Sequence, residues 1–241
     1  MPKILVLAKS GFGKTTSIGE IKPLEIKGLD PKETYIISCT SKPLPFPGSN
    51  SKYPITKLEK NPASLKTGQR IISSNPKQIQ FALEQLVKSP YKNIVWDDAN
   101  YVMQDWYMDN ALATGWDGPK KIGFFMGQIF KALEALDSAG KNVFVLAHGE
   151  EAKNDFDGRT YLKMKTTGKM VDEYLTPEGK FDVVLLGHSK FDSAEKKVEK
   201  FYLTNETEMF SSAKSPYGMF EELFIPNDLG YVLDKVNEYY G

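Results

Sequence analysis

The stretch KILVLAKSGFGKTT, residues 3–16, decides the fold. Residues 3–8 form a short continuous apolar run, which is typical of a strand buried on both faces of a parallel sheet. The segment AKSGFGKT that follows matches the phosphate-binding pattern G-x-x-x-x-G-K-[ST], except that Ala8 stands in the place of the first glycine. A buried strand that leads into such a loop predicts an α/β protein with a nucleotide-phosphate site.

The chemistry of this loop comes from its backbone and from two side chains. Gly11 and Gly13 let successive N–H groups turn inward toward a phosphate. We expect Lys14 to contact the β- and γ-phosphates of ATP and Thr15 to ligate Mg²⁺. A following helix of about two turns, limited by Pro23, is predicted to add partial positive charge. The predicted nucleotide-binding residues are Ala8, Lys9, Ser10, Gly11, Phe12, Gly13, Lys14, Thr15 and Thr16. An accidental loop and a degenerate P-loop that binds without hydrolysing are the alternatives.

The rest of the chain alternates strands and helices. This alternation predicts a mostly parallel, twisted α/β sheet flanked by helices, with an antiparallel C-terminal edge. No convincing linker divides the chain, so residues 1–241 are predicted to form a single domain. Segment 96–116 receives no assignment. The predicted strands are 3–8, 34–40, 70–74, 92–97, 142–148, 181–188 and the antiparallel edge strand 196–206; the predicted helices are 75–88, 118–139 and one that begins near Asn227 or Asp228.

Composition excludes several classes of protein. Of the 241 residues, 31 are Lys or Arg and 31 are Asp or Glu, so the formal net charge is zero and a strongly basic, histone-like binder is excluded. Cys39 is the lone cysteine, which excludes an intramolecular disulfide. No stretch reaches the ~18 apolar residues of a membrane-spanning helix, and the N-terminal apolar run is too short for a signal peptide. We therefore expect a cytoplasmic protein with no membrane partner.

A second acidic signal follows the strand at 92–97. In IVWDD the apolar residues deliver a carboxylate to the C-terminal end of the strand, where ligands bind in open α/β sheets. This pattern is that of a Walker B strand, and it predicts that Asp97 is the partner of Mg²⁺. Asp98 either polarises the attacking water or caps the following segment.

Two more side chains are catalytic candidates. His148 ends the strand 142–148, where it would sense the nucleotide or orient water, or else simply bond a neighbouring loop. Lys214 lies in AKSPYG, a Pro/Gly turn from which it could reach the phosphates of a neighbouring subunit in the manner of an arginine finger. A solvated turn lysine is the alternative. The predicted catalytic set is thus Lys14, Asp98, His148 and Lys214.

A basic segment, RTYLKMKTTGK, follows the strand 142–148. Its cations and one interleaved aromatic ring suit single-stranded DNA, whose phosphates they would contact and on whose bases the ring would stack. Acidic residues flank the segment, so a plain solvated loop or hairpin is the competing interpretation. The candidate DNA-binding residues are Arg159, Tyr161, Lys163, Lys165 and Lys169.

Taken together, these motifs resemble those of the small RecA-like P-loop ATPases of bacteriophages, some of which are grouped with single-strand annealing and recombination proteins. The resemblance is carried by LAKSGFGKTTS, KPLPFPG, IVWDD, NVFVLAH, TTGK and AKSPYGMFE in this order. It implies a RecA-like core, Mg²⁺-dependent ATP hydrolysis, a role in DNA recombination or replication, and subunit contacts that complete the ATP site. A phage-encoded chain would act in the host cytoplasm. This chain departs from the family at Ala8 and at Asp97-Asp98, where Asp-Ser is more usual.

Three functions remain open. The first is a DNA-dependent recombination or motor ATPase that acts as a homo-oligomer on single-stranded DNA. The second is a P-loop phosphotransferase, although such kinases usually carry an Arg-rich lid and this chain has only Arg70 and Arg159. The third is a nucleotide-gated interaction module with little turnover. We expect the first.

Overall fold

A computed structural model of the chain describes residues 1–56, 68–112, 117–153, 158–167, 171–172, 175–193, 196–208 and 212–241, with the backbone alone at 117–119. Nine strands, five α-helices and four short 3-10 helices have their bounds in this part of the chain. The strands are β1 (Lys3–Ala8), β2 (Thr34–Ser38), β3 (Arg70–Ile72), β4 (Asn93–Asp97), β5 (Asn142–Lys153), β6 (Thr160–Met164), β7 (Val183–Asp192), β8 (Lys197–Leu203) and β9 (Phe224–Pro226). The helices are α1 (Ser49–Lys52), α2 (Pro76–Leu86), α3 (Tyr101–Asp109), α4 (Asp117–Ser138) and α5 (Leu229–Tyr240).

The strands form one sheet in the order β3-β2-β4-β5-β1-β7-β8-β9, and β6 pairs with the outer half of β5. The six strands from β3 to β7 run parallel, whereas β6, β8 and β9 are antiparallel to their neighbours. Register places Ala8 opposite His148, and Ser38 opposite Asp97. The carboxyl ends of β1, β4 and β5 therefore meet at one edge of the sheet, which is where open α/β sheets bind ligands.

Side chains of β1 alternate between two apolar cores, one on each face of the sheet. Leu5 and Leu7 belong to the core that helices α2, α3 and α4 cover. Ile4 and Val6 belong to the opposite core, which is covered by α5 and by side chains from residues 12–53. Because both faces are covered, every residue of β1 is buried, as a continuous apolar run in a parallel sheet requires.

The predicted architecture, a mostly parallel α/β sheet flanked by helices with an antiparallel C-terminal edge, is confirmed. The predicted cap of α2 is also present, since the Asn75 side chain accepts from the N–H groups of Lys77 and Gln78. The sequence missed helix α3 in the unassigned segment and strand β9, which follows β8 at the sheet edge. It also ended β5 and β7 too early, because both strands continue past the sheet edge as hairpins with β6 and β8.

The predicted two-turn helix after the phosphate loop is wrong. A single turn of 3-10 helix occupies Thr15–Ile18, and Gly19 leaves the helical conformation with φ −109° and ψ 154°. The chain then folds back so that the N–H of Leu29 donates to the carbonyl of Ile18. Because so short a helix has little dipole, the predicted positive helix end does not contribute here, and charge at the site must come from side chains and loop N–H groups.

No helix in the described ranges is long and apolar enough to cross a membrane. The candidate DNA-binding residue Lys169 lies outside the described residues.

Candidate nucleotide-binding site

The loop between β1 and the 3-10 turn has the conformation that a phosphate cradle needs. Gly11 and Gly13 adopt φ of +78° and +103°, a region that residues with a Cβ rarely adopt. Phe12, between them, turns its ring into the core, where it is 5% exposed. That ring lies against Gly187 of β7, where a Cβ would come within 2.9 Å of it and within 2.5 Å of the Cβ of Ala8. The buried Phe12 ring thus anchors the loop, and Gly187 leaves the space that this ring occupies.

Lys14 is buried at the centre of the site, with 5% of its surface exposed. Its Nζ donates to the carbonyls of Ala8 at 3.2 Å and Lys9 at 3.4 Å, and lies 3.4 Å from Nδ1 of His148. Burial lowers the pKa of the Lys14 amine, and the nearby charges of Asp98 and Asp97 oppose this effect. The amine is therefore held close to the loop by carbonyl oxygens, without a direct ion pair to a carboxylate among the described residues.

Thr15 and Asp97 are brought together across the sheet edge, as the sequence predicted. The Thr15 hydroxyl donates to Oδ1 of Asp97 at 2.9 Å. Asp97 is 3% exposed. Burial and the charge of Asp98 raise its pKa to about 7, although the Thr15 hydrogen bond, Lys14 and Arg70 act in the opposite direction. A hydroxyl and a carboxylate at hydrogen-bond distance form the oxygen donor set that Mg²⁺ prefers in nucleotide sites.

Asp98 and His148 form a second polar pair at the mouth of the site. Asp98 has φ +59°, and this left-handed conformation turns its carboxylate toward His148, whose Nε2 lies 3.4 Å from Oδ1. Thr40 also donates to Oδ2 of Asp98 at 3.4 Å. Helix α3 has no side-chain cap, so the alternative role of Asp98 as a cap is wrong.

The hydrogen-bond roles of the His148 ring nitrogens follow from their neighbours. A charged Lys14 only donates, so Nδ1 of His148 accepts and its Nε2 carries the hydrogen that faces Asp98. Burial alone would raise the pKa of Asp98, but the hydrogen bond from His148 together with the charges of Lys14 and Lys42 lowers it below its ordinary value. Asp98 is consequently ionised at neutral pH, whereas Asp97, with a pKa of about 7, is only partly ionised there.

Asn100 fixes the position of His148. Its side chain is fully buried; Oδ1 accepts from the N–H of His148 at 2.5 Å, and Nδ2 donates to the carbonyls of His148 and Lys165. The ring of Tyr101 packs edge-on against the His148 ring, with centroids 5.9 Å apart. These contacts join the middle of β5, the residue that follows β6 and the turn after β4, so the imidazole is held between the phosphate loop and Asp98.

One wall of the site is the loop that follows β2. Thr40, Lys42 and the residues up to Pro45 line the cavity. The guanidinium of Arg70, 3% exposed, holds this loop from below by donating to Oγ of Ser38 at 2.9 Å and to the carbonyl of Lys42 at 2.7 Å. Arg70 therefore positions the wall without reaching the cavity.

The C-terminal third of the chain supports the phosphate loop from the other side. The hydroxyl of Tyr202 on β8 donates to Oγ of Ser17 at 2.8 Å, and Ser17 in turn donates to the carbonyl of Lys14 at 2.6 Å. Nδ2 of Asn227 donates to the carbonyl of Gly13 at 3.2 Å. Lys200 on β8 donates to the carbonyl of Gly11 at 3.1 Å. The loop is thus held by β8 and by the segment before α5.

These groups enclose a cavity of about 300 Å³. Three lysines line it, and none of them forms an ion pair with a carboxylate in the described ranges; they are Lys14, Lys42 and Lys200. Asp97 and Asp98 lie at its floor. A cavity of this charge pattern suits a polyanion that brings a divalent cation with it, because lysines attract the anion and carboxylates attract the metal.

A second cavity of about 600 Å³ lies on the far side of the phosphate loop. It is bounded by the β5–β6 and β7–β8 hairpins, and the two cavities share Ser10, Gly11 and Lys200. On this side Lys9 pairs with Glu151 at 2.7 Å.

Most of the predicted loop residues line the smaller cavity: Ser10, Gly11, Gly13, Lys14, Thr15 and Thr16. Lys9 and Phe12 line only the larger cavity. Ala8 is buried and lines neither cavity. The structure brings Asp97, Asp98 and His148 to the same cavity. Lys214 does not join them. Its backbone pairs with Val184, near the start of β7, and its exposed side chain is not part of the cavity lining.

The basic segment forms strand β6 and its flanks, so the hairpin interpretation is correct. Tyr161, Lys163 and Lys165 share its outward face, while the alternating Leu162 and Met164 are buried. Lys163 is engaged by Asp172 at 2.7 Å and Glu150 at 3.5 Å. Arg159 pairs with Glu206 at 3.5 Å. Much of the positive charge that the sequence offered to DNA is therefore balanced by acidic neighbours.

The sequence missed the supporting residues of the site. Asn100 could have been predicted, because it lies two residues after Asp98, in the turn after a Walker B strand, and a polar side chain there is close to the site. Arg70, Lys200 and Asn227 carried none. Their contacts depend on strand register and loop packing between distant parts of the chain.

No protein-family model matches the sequence, and neither does any curated protein. Among solved structures, the chain is similar to a KaiC-like protein from the hyperthermophilic archaeon Pyrococcus horikoshii OT3. The two share 15% sequence identity over 84% of this chain and 77% of that chain, with a TM-score of 0.45. The fold and the site described above rest on this chain's own strand order and contacts, independently of this likeness.

Proposed function

We propose that this chain binds ATP with Mg²⁺ and hydrolyses it. The observation that carries the proposal is the hydrogen bond of 2.9 Å between Thr15 and Asp97 beside the buried amine of Lys14. A P-loop ATPase needs these three groups at one point, since the lysine contacts the phosphates and the hydroxyl and carboxylate hold the metal.

The residues would divide the work as follows. N–H groups of residues 10–16 and the amines of Lys14 and Lys42 would bind and orient the phosphates. Thr15 would ligate Mg²⁺ directly and Asp97 would hold it, directly or through water. The bound metal would neutralise charge that develops on the phosphates. Asp98 and His148 would orient the attacking water, with the His148 imidazole held in place by Asn100.

Metal binding requires Asp97 to be ionised. With the pKa of this carboxyl raised to about 7 by burial and by Asp98, a substantial fraction of the ligand-free protein carries a proton here at pH 7. Mg²⁺ would displace this proton, so nucleotide binding in the presence of metal would release a proton that binding without metal does not.

Steady-state phosphate release from ATP tests this function. The wild-type chain should release phosphate only with Mg²⁺ present. Lys14→Ala should abolish release and weaken ATP binding, because Lys14 is the only buried lysine among the described residues that line the cavity. Lys190→Ala is the matched control, since Lys190 is exposed on β7 and lies outside the cavity lining. A Lys14→Ala variant that hydrolysed ATP at the parental rate would refute the assignment.

The biological setting rests on the resemblance to phage RecA-like ATPases. On that basis we extend the proposal to a homo-oligomer that acts in DNA recombination or replication on single-stranded DNA, with Lys214 reaching the ATP site of a neighbouring subunit. Among the predicted DNA contacts, Lys165 is exposed and Lys163 is tied to carboxylates. We therefore expect Lys165→Ala to weaken DNA binding more than Lys163→Ala. The test is DNA-stimulated phosphate release at two salt concentrations, since phosphate contacts weaken steeply with salt.

A nucleotide-gated interaction module with slow turnover is the second candidate. It is favoured by Asp98, whose lowered pKa makes it a weak base for activating water. Tight ATP binding together with negligible phosphate release, with or without DNA, would select this function over the first.

A further inference from the structure

Lys200, on the antiparallel strand β8, reaches the phosphate loop from the C-terminal part of the same chain. Its partner across the β7–β8 pair is Ser189, and this register places its side chain over the loop. The amine lies 3.1 Å from the carbonyl of Gly11, and it would lie 3.5 Å from a Cβ built on Gly13. Lys200 is thus beside both loop glycines, more than 180 residues away in sequence.

The charge of this amine is not balanced by an acidic side chain in the described part of the chain. Neighbouring Glu199 pairs with Lys197 at 3.5 Å instead, and Lys9, the other lysine at the outer rim of the loop, pairs with Glu151 at 2.7 Å. The hydrogen bond from Lys200 to a backbone carbonyl leaves its positive charge available to an anion. A lysine carries three donor hydrogens, so it can keep the Gly11 contact and still donate to a phosphate oxygen.

We infer that Lys200 is a further phosphate-binding lysine, supplied in cis by the C-terminal hairpin to the nucleotide that Lys14 also contacts. The inference rests on the proposed function. Lys200 lines the same cavity as Lys14, Thr15 and Asp97. Its position also makes the β7–β8 hairpin part of the nucleotide site, so that occupancy by phosphate and the position of the hairpin are coupled.

Calorimetric titration with ATP and with inorganic pyrophosphate tests this role in the full-length chain. Loss of one charge-assisted contact predicts that Lys200→Met weakens the binding of both ligands by about tenfold or more. Lys200→Arg should restore most of the affinity, because the charge and the reach are kept. Lys190→Met is the control: it removes a lysine from the same hairpin, on a residue that is exposed and outside both cavities.

A structural role for Lys200 gives a different result. If the amine only braces the Gly11 carbonyl, Lys200→Met lowers the melting temperature of the ligand-free protein and leaves the salt dependence of ATP binding unchanged. A phosphate contact instead makes the slope of log affinity against log salt shallower, with the ligand-free melting temperature kept.

Each outcome is decisive. Weakened binding with a shallower salt slope and rescue by arginine supports the inference. Unchanged affinity in Lys200→Met, or lost stability without rescue by arginine, overturns it while leaving the proposed function intact. A wild-type chain that binds neither ligand refutes the proposed function itself.

Discussion

Replacement of Asp97 by asparagine tests the electrostatics of the site without any ligand. In the folded chain the pKa of this carboxyl is raised to about 7, whereas an unfolded aspartate has a pKa of about 3.9. The folded chain therefore keeps a proton that the unfolded chain releases between these two values. By linkage, the contribution of Asp97 to stability is full below about pH 4 and is lost as the pH rises to about 7.

Asparagine resembles the protonated acid, accepts the same Thr15 hydrogen bond and cannot ionise. A pKa shift of about three units corresponds to about 4 kcal/mol at most. The free energy of unfolding of Asp97→Asn should therefore exceed that of wild type by up to this amount at pH 8 and by almost nothing at pH 4. For a chain of this length the gain at pH 8 corresponds to roughly 8–16 °C in melting temperature. The assay is thermal unfolding of both proteins in matched buffers from pH 4 to pH 8.

Comparing the two proteins at each pH cancels the titration of groups elsewhere in the chain. Asp98→Asn provides a control of opposite sign: His148 and Lys14 stabilise the ionised form of Asp98 and lower its pKa, so its removal should destabilise the protein at neutral pH. A stability difference between Asp97→Asn and wild type that stayed constant from pH 4 to pH 8, or a loss of stability at pH 8, would refute the reasoning.

Three further expectations follow from the same contacts. Mg²⁺-dependent ATP affinity should rise by up to about tenfold per pH unit between pH 6 and 7, because Asp97 must lose its proton; titration calorimetry showing no such rise would contradict this. Arg70→Met should destabilise the fold by about 1–3 kcal/mol for each acceptor it leaves unpaired, which chemical denaturation measures. It should also weaken ATP binding, measured by calorimetry, although the Arg70 side chain does not line the cavity. Unchanged ATP affinity would show that the wall of the site does not depend on Arg70. Gly187→Ala should disrupt the phosphate loop by forcing Phe12 aside, whereas Gly127→Ala, a helix position with open space around it, should stabilise the chain by up to about 1 kcal/mol; equal melting temperatures for the two variants would count against the packing described at Gly187.

The sequence was sufficient for the parts of the site that are local in the chain. A buried apolar strand followed by a glycine-rich loop and a lysine predicts a phosphate-binding loop, and the loop residues and Lys14 were predicted directly from this pattern. Asp97 and His148 were predictable because each ends an apolar run, and parallel strands bring their carboxyl ends to one edge of a sheet.

The parts that the sequence did not predict depend on contacts between distant segments. The two-turn helix after the loop was expected from the motif, but the chain turns at Gly19 to let Leu29 pair with Ile18. Lys200 lies near the loop only because β8 runs antiparallel to β7 in one register, and a shift of one residue would turn its side chain to the other face. The basic segment looked available to DNA because carboxylates distant in the sequence, such as Glu206 opposite Arg159, could not be placed against it.

The triphosphate–magnesium site can be observed in a crystal structure of the chain with a non-hydrolysable ATP analogue and Mn²⁺ in place of Mg²⁺. We expect an anomalous peak for Mn²⁺ at about 2.2 Å from the Thr15 hydroxyl oxygen, with Asp97 as a direct or water-bridged ligand and the triphosphate wrapped by loop N–H groups. Phosphates bound elsewhere, or a metal ion with no link to Asp97, would contradict the account.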